Sequence, residues 1–489
     1  MSFKKTSHQK NKKIIVNNTL IVGAGEAGRQ ILKSISSLKN TYTPVGFIDD
    51  SPAKRGKLLQ GVLVLGIIDD IPRIVKKHKI VNLIIALPSA GSGAIKKSVE
   101  LGRKSGVQNI RVIPTLSEII DGKVSFKDIR EIQVEDLLGR EKILLDEEAI
   151  ESFIKNKKIL ITGAAGSIGS ELSKQVLKFK PSQLILIDQD ETGIFNALNN
   201  LKDKFSHVPI ISFITSITDS KKMNYIFSQY SPNIVFHAAA YKHVPLMEEH
   251  PDEAVKNNIF GTKIIAEASL NAGVSKFIFI STDKAINPTS VMGATKRVGE
   301  MICQQLNKKN KTKFISVRFG NVLNSRGSVI PIFKEQIKKG GPIEVTHPDM
   351  KRYFMLISEA CLLLMQASAM GQGGEVFVLD MGTPVKILDL AKEMIKLSGL
   401  VLDKDIAITF AGIRPGEKLF EEMLTAEEGT AATQHEKIFI ARLSDSNIDN
   451  LEAKIKNLRL KFLTLRKDEI INALNQIIPF YKINDPAKH

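Results

Sequence analysis

Two glycine-rich segments constrain the fold of this chain more than any other feature of its sequence. The segments are TLIVGAGEAGRQILKSI at 19–35 and KKILITGAAGSIGSELSKQVLK at 157–178. Each consists of an apolar run, a glycine turn and an amphipathic stretch. In a strand, turn and helix of this kind, backbone N–H groups can approach a pyrophosphate at the helix N-terminus. The chain is therefore predicted to be an α/β protein with two doubly wound parallel sheets.

The first segment carries the G-x-G-x-x-G pattern on Gly23, Gly25 and Gly28, and VGFIDD then supplies a second strand that ends at Asp49 and Asp50. These elements predict a Rossmann-like domain. Two interpretations of its function remain open. The crevice either binds a nucleotide or is empty in a domain that is only a structural relic.

The second segment has the spacing G-x-x-G-x-x-G on Gly163, Gly166 and Gly169. This spacing resembles the short-chain dehydrogenase/reductase superfamily. Asp188 ends the next predicted strand, where a carboxylate binds the ribose hydroxyls and repels a 2′-phosphate, which favours NAD over NADP. The predicted NAD-binding residues are Gly163, Gly166, Ser167, Ile168, Gly169, Asp188, Asp219, Ala238, Ala239, Ala240 and Lys296.

The predicted domain organisation has four parts. A basic, disordered tail occupies 1–17, a Rossmann-like domain 18–135, a charged linker 136–156, and the NAD-dependent domain 157–489. The last domain is expected to be an extended short-chain dehydrogenase/reductase fold with a smaller C-terminal substrate-binding part.

The composition restricts the function further. The net charge is +17, and five of the lysines lie before residue 14. They make the N-terminal tail suited to peripheral contact with an acidic membrane surface. No nucleic-acid-binding signature accompanies the charge, so nucleic acid is not an expected partner. The two cysteines form no metal-like cluster, so we expect no metal site and a cytoplasmic location.

The segment STDKAINPTSVMGATK at 281–296 carries the candidate catalytic groups Thr282, Asp283 and Lys284 at the end of an apolar strand. Met292 stands four residues before Lys296, where the superfamily normally has a tyrosine. Positions i and i+4 share one helix face, so both side chains are expected at one pocket. A thioether cannot transfer a proton, so another group must take the proton of the substrate hydroxyl.

The later half supplies arginines on glycine-containing turns, in VRFGNVLNSRGSVIPIF and GIRPGEKLFEEM. A guanidinium fork matches phosphate oxygens. Together with TGAAGSIGSEL, HAAAYKHVPLME and the segment at 281–296, these motifs are similar to the UDP-N-acetylglucosamine 4,6-dehydratases of bacterial polysaccharide and glycoconjugate biosynthesis. The resemblance covers residues 18–480. It implies substrate contacts at Lys242, His243, Asn258, Arg318, Asn321, Arg326, Arg414 and Glu417.

The resemblance also implies the reaction. C4 of the sugar is oxidised by hydride transfer to NAD, water is lost across C5–C6, and the hydride returns to C6. Asp283 is expected to protonate the departing 6-hydroxyl and Lys284 to abstract the C5 proton, for which burial should raise the pKa of the acid and lower that of the lysine. Long family members are anchored in the inner membrane, and a homo-oligomer is expected.

Within this resemblance, the methionine at 292 favours a dehydratase that retains the C5 configuration. A C5-inverting dehydratase or a sugar-nucleotide epimerase is the alternative of the same class. A non-catalytic NAD-binding regulator is the alternative of another class. A regulator would have no use for Asp283 and Lys284 together, so this pair counts against it.

Overall fold

The computed structural model describes residues 17–36, 42–88, 92–113, 129–133, 136, 145–422, 429–441, 450–479 and 481. The chain divides into two compact units, residues 1–142 and 143–489. The predicted basic tail lies outside the described residues except for Asn17. Each unit contains one large, mostly parallel sheet, so the predicted fold class is confirmed.

The described residues of the first unit form a seven-stranded sheet and three α-helices. Its elements in chain order are β1 (Asn18–Val22), α1 (Glu26–Ser36), β2 (Thr43–Ile48), β3 (Leu58–Leu59), β4 (Val62–Gly66), α2 (Ile71–His78), β5 (Asn82–Ile85), α3 (Ser92–Lys104), β6 (Asn109–Val112) and β7 (Arg130–Glu131). The strand order is β3-β4-β2-β1-β5-β6-β7. Because β2 and β5 flank β1 on opposite sides, the order reverses beside β1, where doubly wound sheets form a ligand crevice.

The glycine turn of this unit packs closely. Gly23 has φ +105°, a conformation that L side chains rarely adopt, and a Cβ on Gly28 would collide with the Gly23 carbonyl. The amide of Ala24 donates to Asp49 Oδ2 at 2.8 Å, and Lys54 Nζ donates to the same oxygen at 2.9 Å. The Asp49 carboxylate therefore ties the turn to the end of β2 and is neutralised by a lysine.

The second unit begins with a helix and a parallel βα array. Its first elements are α4 (Glu147–Ile154), β8 (Lys158–Thr162), α5 (Ser167–Lys178), β9 (Gln183–Asp188), α6 (Glu191–Lys202), β10 (Ile210–Ile214), α7 (Ser220–Tyr230), β11 (Ile234–His237), α8 (Val244–Glu249), α9 (Pro251–Ala254), a π-helix (Val255–Gly261), α10 (Thr262–Asn271), β12 (Lys276–Thr282), a 3₁₀ turn (Asp283–Ala285), α11 (Val291–Asn307) and β13 (Lys313–Phe319). The central strands β8 and β11 are almost continuously buried, as expected for a sheet covered on both faces.

The remaining elements complete the sheet and surround its carboxyl edge. They are β14 (Asn321–Val322), α12 (Val329–Lys338), β15 (Ile343–Val345), β16 (Lys351–Arg352), β17 (Phe354–Met355), α13 (Ile357–Met370), β18 (Val376–Leu379), β19 (Val385–Lys386), α14 (Ile387–Leu397), β20 (Ile408–Phe410), β21 (Thr430–Ala432), β22 (Ile438–Ala441), α15 (Leu451–Lys461) and α16 (Lys467–Ile477). The strand order is β10-β9-β8-β11-β12-β13-β18-β22-β21. Since β9 and β11 flank β8, the crevice of this unit is expected at the ends of β8 and β11.

Helix α4 lies within the stretch 136–156 that the sequence analysis assigns to a linker. Asp146 caps the helix by accepting from the Ala149 amide, and the Asp146 amide donates to Gln366 of α13 at 2.9 Å. Ile150 and Ile154 are completely buried. These contacts make α4 a structural part of the second unit, while the exact domain boundary stays a prediction.

Among the described residues, none of the helices combines the length and the apolar character that crossing a bilayer requires.

Candidate functional site

The second unit has a cleft of about 1120 Å³ where the strands β8, β11, β12 and β13 end. Its walls come from the glycine turn after β8, the segment after β11, the end of β12, the start of α11 and loops after β13. The predicted site residues that line it are Gly163, Gly166, Ser167, Ile168, Gly169, Ala238, Ala240, Lys242, His243, Thr282, Lys284, Met292, Lys296, Asn321, Arg326, Arg414 and Glu417. The chain therefore brings most of the predicted residues to one cavity.

The glycine turn before α5 leaves no room for a side chain at Gly163 or Gly169. Gly163 has φ +67°, and a Cβ there would lie 2.6 Å from the Ala239 amide nitrogen. A Cβ on Gly169 would collide with the Gly163 carbonyl, and Gly166 is the N-cap of α5. This cradle brings backbone amides and a helix N-terminus to one wall of the cleft, and a pyrophosphate group fits such a site.

Asp188 stands at the end of β9 and supports the glycine turn. Its Oδ2 accepts from the Ala165 amide at 2.9 Å, and its Oδ1 accepts from the Asp190 amide at 3.0 Å. Asp219, also predicted to bind the cofactor, is instead the exposed N-cap of α7 and accepts from the Lys222 amide at 3.0 Å. Asp219 is not among the residues that line the cleft.

Arg326 was predicted to bind the substrate, but it lies against the glycine turn. Its amide donates to Ser167 Oγ at 3.0 Å, its Nη1 donates to Asp190 Oδ2 at 3.0 Å, and its Nη2 reaches the Ala165 carbonyl at 3.4 Å. The guanidinium is also largely exposed, with 69% of the side chain accessible. Arg326 thus joins the loop after β14 to the wall that fits a pyrophosphate.

Three consecutive residues at the end of β12 form the polar centre of the cleft. Thr282 Oγ1 donates to Asp283 Oδ1 at 2.8 Å, and Lys284 Nζ donates to the same oxygen at 3.1 Å. The Asp283 side chain is completely buried, whereas 24% of the Lys284 side chain is exposed to the cleft. A threonine hydroxyl, a carboxyl and an amine therefore form one hydrogen-bonded cluster.

Glu421 belongs to the same cluster, and the sequence analysis did not single it out. Its Oε1 lies 2.6 Å from Lys284 Nζ and 3.2 Å from Arg352 Nε, and its Oε2 accepts from Asn321 Nδ2 at 3.0 Å. Only 3% of its side chain is exposed. Glu421 stands within the motif RPGEKLFEE, in which Glu417 is the predicted substrate contact. Its place in that motif is the only sequence feature that marks Glu421 as a candidate site residue, and nothing in the spacing indicates which glutamate of the motif is buried.

The carboxylates shift the proton affinities of this cluster. Burial raises the pKa of Asp283 to about 7, and the Glu421 carboxylate acts in the same direction. This agrees with the direction expected of a proton donor. Burial alone lowers the pKa of Lys284, but Asp283 and Glu421 outweigh it and hold the pKa above its ordinary value. The expectation of a lowered lysine pKa is therefore wrong, because two carboxylates flank the amine.

Helix α11 carries Met292 and Lys296, the pair in which methionine stands where the superfamily normally has a tyrosine. A Cβ on Gly293 would collide with the Lys284 carbonyl, so this glycine lets the helix start against the 3₁₀ turn. Met292 is 4% exposed and lines the cleft. Lys296 Nζ lies 4.2 Å from the centre of the Phe279 ring, and burial lowers the pKa of Lys296 to about 8. The ammonium of Lys296 therefore lies on an aromatic face beside a methionine that cannot exchange a proton.

Two residues predicted to contact the substrate are structural. Arg318 has no exposed surface, and its Nε and Nη2 donate to Glu300 at 2.7 and 2.8 Å. Asn258 is 1% exposed and exchanges hydrogen bonds with the Tyr241 backbone while its Nδ2 reaches Thr295 Oγ1. Both predictions are corrected, because a side chain whose polar atoms are buried and paired has no surface to offer a sugar nucleotide.

The other predicted contacts lie around the cleft. Lys242 Nζ reaches Ser325 Oγ at 3.5 Å, and burial lowers the pKa of Lys242. A Cβ on Gly327 would press on the His243 ring, which shows how closely these loops pack. Arg414 is half exposed, with its Nη2 3.8 Å from Glu344 Oε1. These cationic and polar groups suit an anionic ligand at the rim.

Comparison with known proteins places these features in context. Residues 159–443 match the family described as polysaccharide biosynthesis protein, and residues 4–114 match a CoA-binding domain. The chain is 46% identical over 425 residues to the capsular polysaccharide biosynthesis protein CapD of Staphylococcus aureus, covering 86% of this chain and 71% of the relative. The resemblance indicated by the motifs is thereby confirmed.

Two further relatives are similar to somewhat less than two thirds of the chain. A protein of Campylobacter jejuni named UDP-N-acetylglucosamine 4,6-dehydratase (inverting) is 31% identical over 325 residues, which is 65% of this chain and 88% of that protein. The X-ray structure of Pen from Bacillus thuringiensis is similar with a TM-score of 0.56 and 33% identity, covering 63% of this chain and 98% of that one. The similarity therefore includes both the fold and the sequence.

Proposed function

The chain belongs to the polysaccharide biosynthesis protein family, and from this premise we propose that it is an NAD-dependent UDP-N-acetylglucosamine 4,6-dehydratase that retains the C5 configuration. The coarser part of the proposal, an enzyme of the nucleotide-sugar dehydratase and epimerase kind, is supported by the relatives and by the cleft. The observation that carries the finer part is the contact of Thr282, Asp283 and Lys284 at the end of β12.

The cofactor would lie on the wall formed by the glycine turn. The cradle of Gly163, Gly166 and Gly169 would receive the pyrophosphate, and Asp188 would receive the adenosine ribose. Lys296 would bind the nicotinamide ribose. When bound, NAD supplies the acceptor for the C4 hydride and the donor that returns it to C6.

The side chains account for the protons of the reaction. Asp283 takes the 4-hydroxyl proton through the Thr282 hydroxyl, with which it is hydrogen-bonded at 2.8 Å. Lys284 removes the C5 proton, and Asp283 gives its proton to the departing 6-hydroxyl, which leaves as water. Lys284 then returns its proton to the same face of C5, so the configuration is retained. Met292 takes no part in proton transfer.

Lys284 must be neutral before it acts as a base. The two flanking carboxylates hold its pKa above the ordinary value, so loss of its proton precedes the elimination. The predicted substrate contacts at the rim, Lys242, His243, Asn321, Arg414 and Glu417, would hold the UDP-sugar with C5 near Lys284. A homo-oligomer, a cytoplasmic location and contact of the basic tail with membranes remain predictions.

The test is turnover of UDP-N-acetylglucosamine by the purified protein without added cofactor. We expect one equivalent of water to be lost and proton NMR to show a 4-keto-6-deoxy product with unchanged C5 configuration. An inverted C5 centre would identify the inverting dehydratase, and a C4 epimer that keeps its 6-hydroxyl would identify an epimerase. No reaction despite bound cofactor would favour a regulator.

A further inference from the structure

Beneath the cleft, two acidic side chains lie close together, and they differ in the donors around them. The buried Oδ2 of Asp283 receives no hydrogen bond from the described part of the chain, whereas Oε1 of Glu421 lies 2.6 Å from Lys284 Nζ and 3.2 Å from Arg352 Nε. A buried carboxylate oxygen without a donor is costly. A proton on one of the two carboxyl groups removes that cost.

The surroundings decide which carboxyl holds the proton. Glu421 lies between two cations, Lys284 and Arg352, and accepts an amide hydrogen bond from Asn321. Among the described residues, the donors to Asp283 are the shared Lys284 ammonium and the Thr282 hydroxyl. Negative charge is therefore better stabilised on Glu421, as in other close carboxyl pairs with unequal environments.

We propose that Glu421 is a positioning residue that makes Asp283 hold the proton between its removal from the 4-hydroxyl and its delivery to the departing 6-hydroxyl. Glu421 does this as the permanent anion of the pair, and it also fixes Lys284 beside Asp283. The inference rests on the proposed function and assigns a role within the same site. No atom is added to the reaction, because the proton that leaves with water is the one taken from the 4-hydroxyl.

The charges around the pair come from four segments. Asp283 and Lys284 follow β12, Arg352 ends β16, Lys242 follows β11 and is electrostatically coupled to Lys284, and Glu421 follows the RPG turn. Lys284 and Arg352 outweigh burial and lower the pKa of Glu421 to about 2, while burial and Glu421 raise the pKa of Asp283 to about 7. The directions agree with the geometry.

The decisive variant is Glu421→Gln, which keeps the shape and removes the charge. The control is Glu422→Gln, because Glu422 is the adjacent, exposed glutamate that pairs with Lys418. Infrared difference spectra between pH 5 and pH 9 follow the carboxyl band without substrate. We expect a carboxyl that titrates near neutrality in the wild type and in Glu422→Gln, with a midpoint at least one pH unit lower in Glu421→Gln. The band should be absent from Asp283→Asn.

The pH profile of turnover gives a second readout. Without the Glu421 charge, Asp283 releases its proton at lower pH and Lys284 becomes neutral at lower pH. Both groups must have lost a proton before they can accept one from the substrate, so the acid limb of the profile should move to lower pH. A pKa that is lower by one unit changes the rate about tenfold at a fixed pH on this limb. Glu421→Asp should restore the wild-type profile in part. A loss that is equal at every pH, with an unmoved titration midpoint, would overturn the proposal.

The outcomes separate this inference from the proposed function. The infrared titration does not require turnover, so it tests the pair even if UDP-N-acetylglucosamine is not the substrate. If Glu421→Gln does not fold, the wild type and Asp283→Asn still decide the question. A carboxyl near neutrality that vanishes in Asp283→Asn supports the proposal, and one that persists in that variant contradicts it.

Discussion

Arg318 on β13 and Glu300 on α11 form a completely buried ion pair, with Arg318 Nε 2.7 Å from Glu300 Oε1. Ser281 of β12 donates to the same oxygen at 2.6 Å, and Arg297 pairs with Glu300 Oε2 at 2.9 Å. One carboxylate thus joins the helix that carries Met292 to two strands of the sheet. Burial opposes the charge, but Arg318 outweighs it and lowers the pKa of Glu300 to about 2.

Removing Arg318 should therefore destabilise the protein rather than weaken substrate binding directly. We expect Arg318→Met to lower the free energy of unfolding by about 3–5 kcal/mol, because the Glu300 charge loses its main partner while it stays buried. Arg466→Met serves as control, since the Arg466 side chain is 79% exposed. This change should alter the free energy of unfolding by less than about 0.5 kcal/mol. Chemical denaturation measures both. Unchanged stability with weaker UDP-sugar binding would restore the substrate role.

Asp283→Asn should reduce turnover by about 10²–10⁴, the usual contribution of a positioned proton donor. Lys284→Ala should reduce turnover by a factor in this range or by a larger one. Met292→Ala should lose only a modest factor through packing, and Met292→Tyr should bring no gain because overpacking a 4% exposed site costs about 1–3 kcal/mol. Steady-state rates with UDP-N-acetylglucosamine measure all four. A several-fold gain with tyrosine would show that the proton path still depends on position 292.

Cofactor retention should depend on Arg326. In the proposed reaction the hydride returns to the sugar in each cycle, so NAD is expected to remain bound during purification. Arg326→Gln removes the ties to Asp190 and the Ala165 carbonyl, and we expect several-fold less co-purified NAD and faster exchange with labelled NAD. Lys334→Gln, an exposed change on α12, should not alter either quantity. NADP as the bound species would contradict the role assigned to Asp188.

His237 should make the protein less stable in mild acid. Its ring lies 2.7 Å from Thr162 Oγ1 and 2.9 Å from Thr262 Oγ1, and burial lowers its pKa to about 3. Since the unfolded chain binds a proton below pH 6.5 and the folded chain does not, stability falls as pH drops from 6.5 towards 3. His237 should therefore lower the free energy of unfolding by about 2 kcal/mol between pH 7 and pH 5. In His237→Gln, the free energy of unfolding should fall by about 2 kcal/mol less between pH 7 and pH 5 than in the wild type.

Helix α4 should be needed by the second unit, whereas residues 1–142 should not be needed for the chemistry. We expect the fragment 143–489 to fold and keep part of the turnover. The fragment 157–489, which starts at the predicted domain boundary, lacks the buried Ile150 and Ile154 and should melt at a lower temperature, since each buried isoleucine contributes about 1.5–3 kcal/mol. Circular dichroism melts compare the two. A folded but inactive 143–489 would give the first unit a larger role.

The local motifs predicted the fold well because each depends on neighbouring residues. A turn that admits no Cβ requires glycine, and Gly163 and Gly169 stand where the β8–α5 turn needs them. The i, i+4 spacing also placed Met292 and Lys296 on one helix at the cleft. The packing of α4 on α13 could not be predicted from the segment 136–156 alone, because it depends on Gln366, 220 residues away from Asp146.

The sequence by itself determined the two glycine-turn folds, the family and the trio at the end of β12, since strand, turn and helix preferences act over a few residues. Only the tertiary structure decided which charged groups meet. It buried Arg318 on Glu300 and brought Arg326 to the glycine turn. It also brought Glu421 to Lys284, 137 positions earlier in the chain, at 2.6 Å. The proton affinity of a buried acid depends on such distant charges, because Coulomb interactions depend on separation in space and local dielectric rather than on position along the chain.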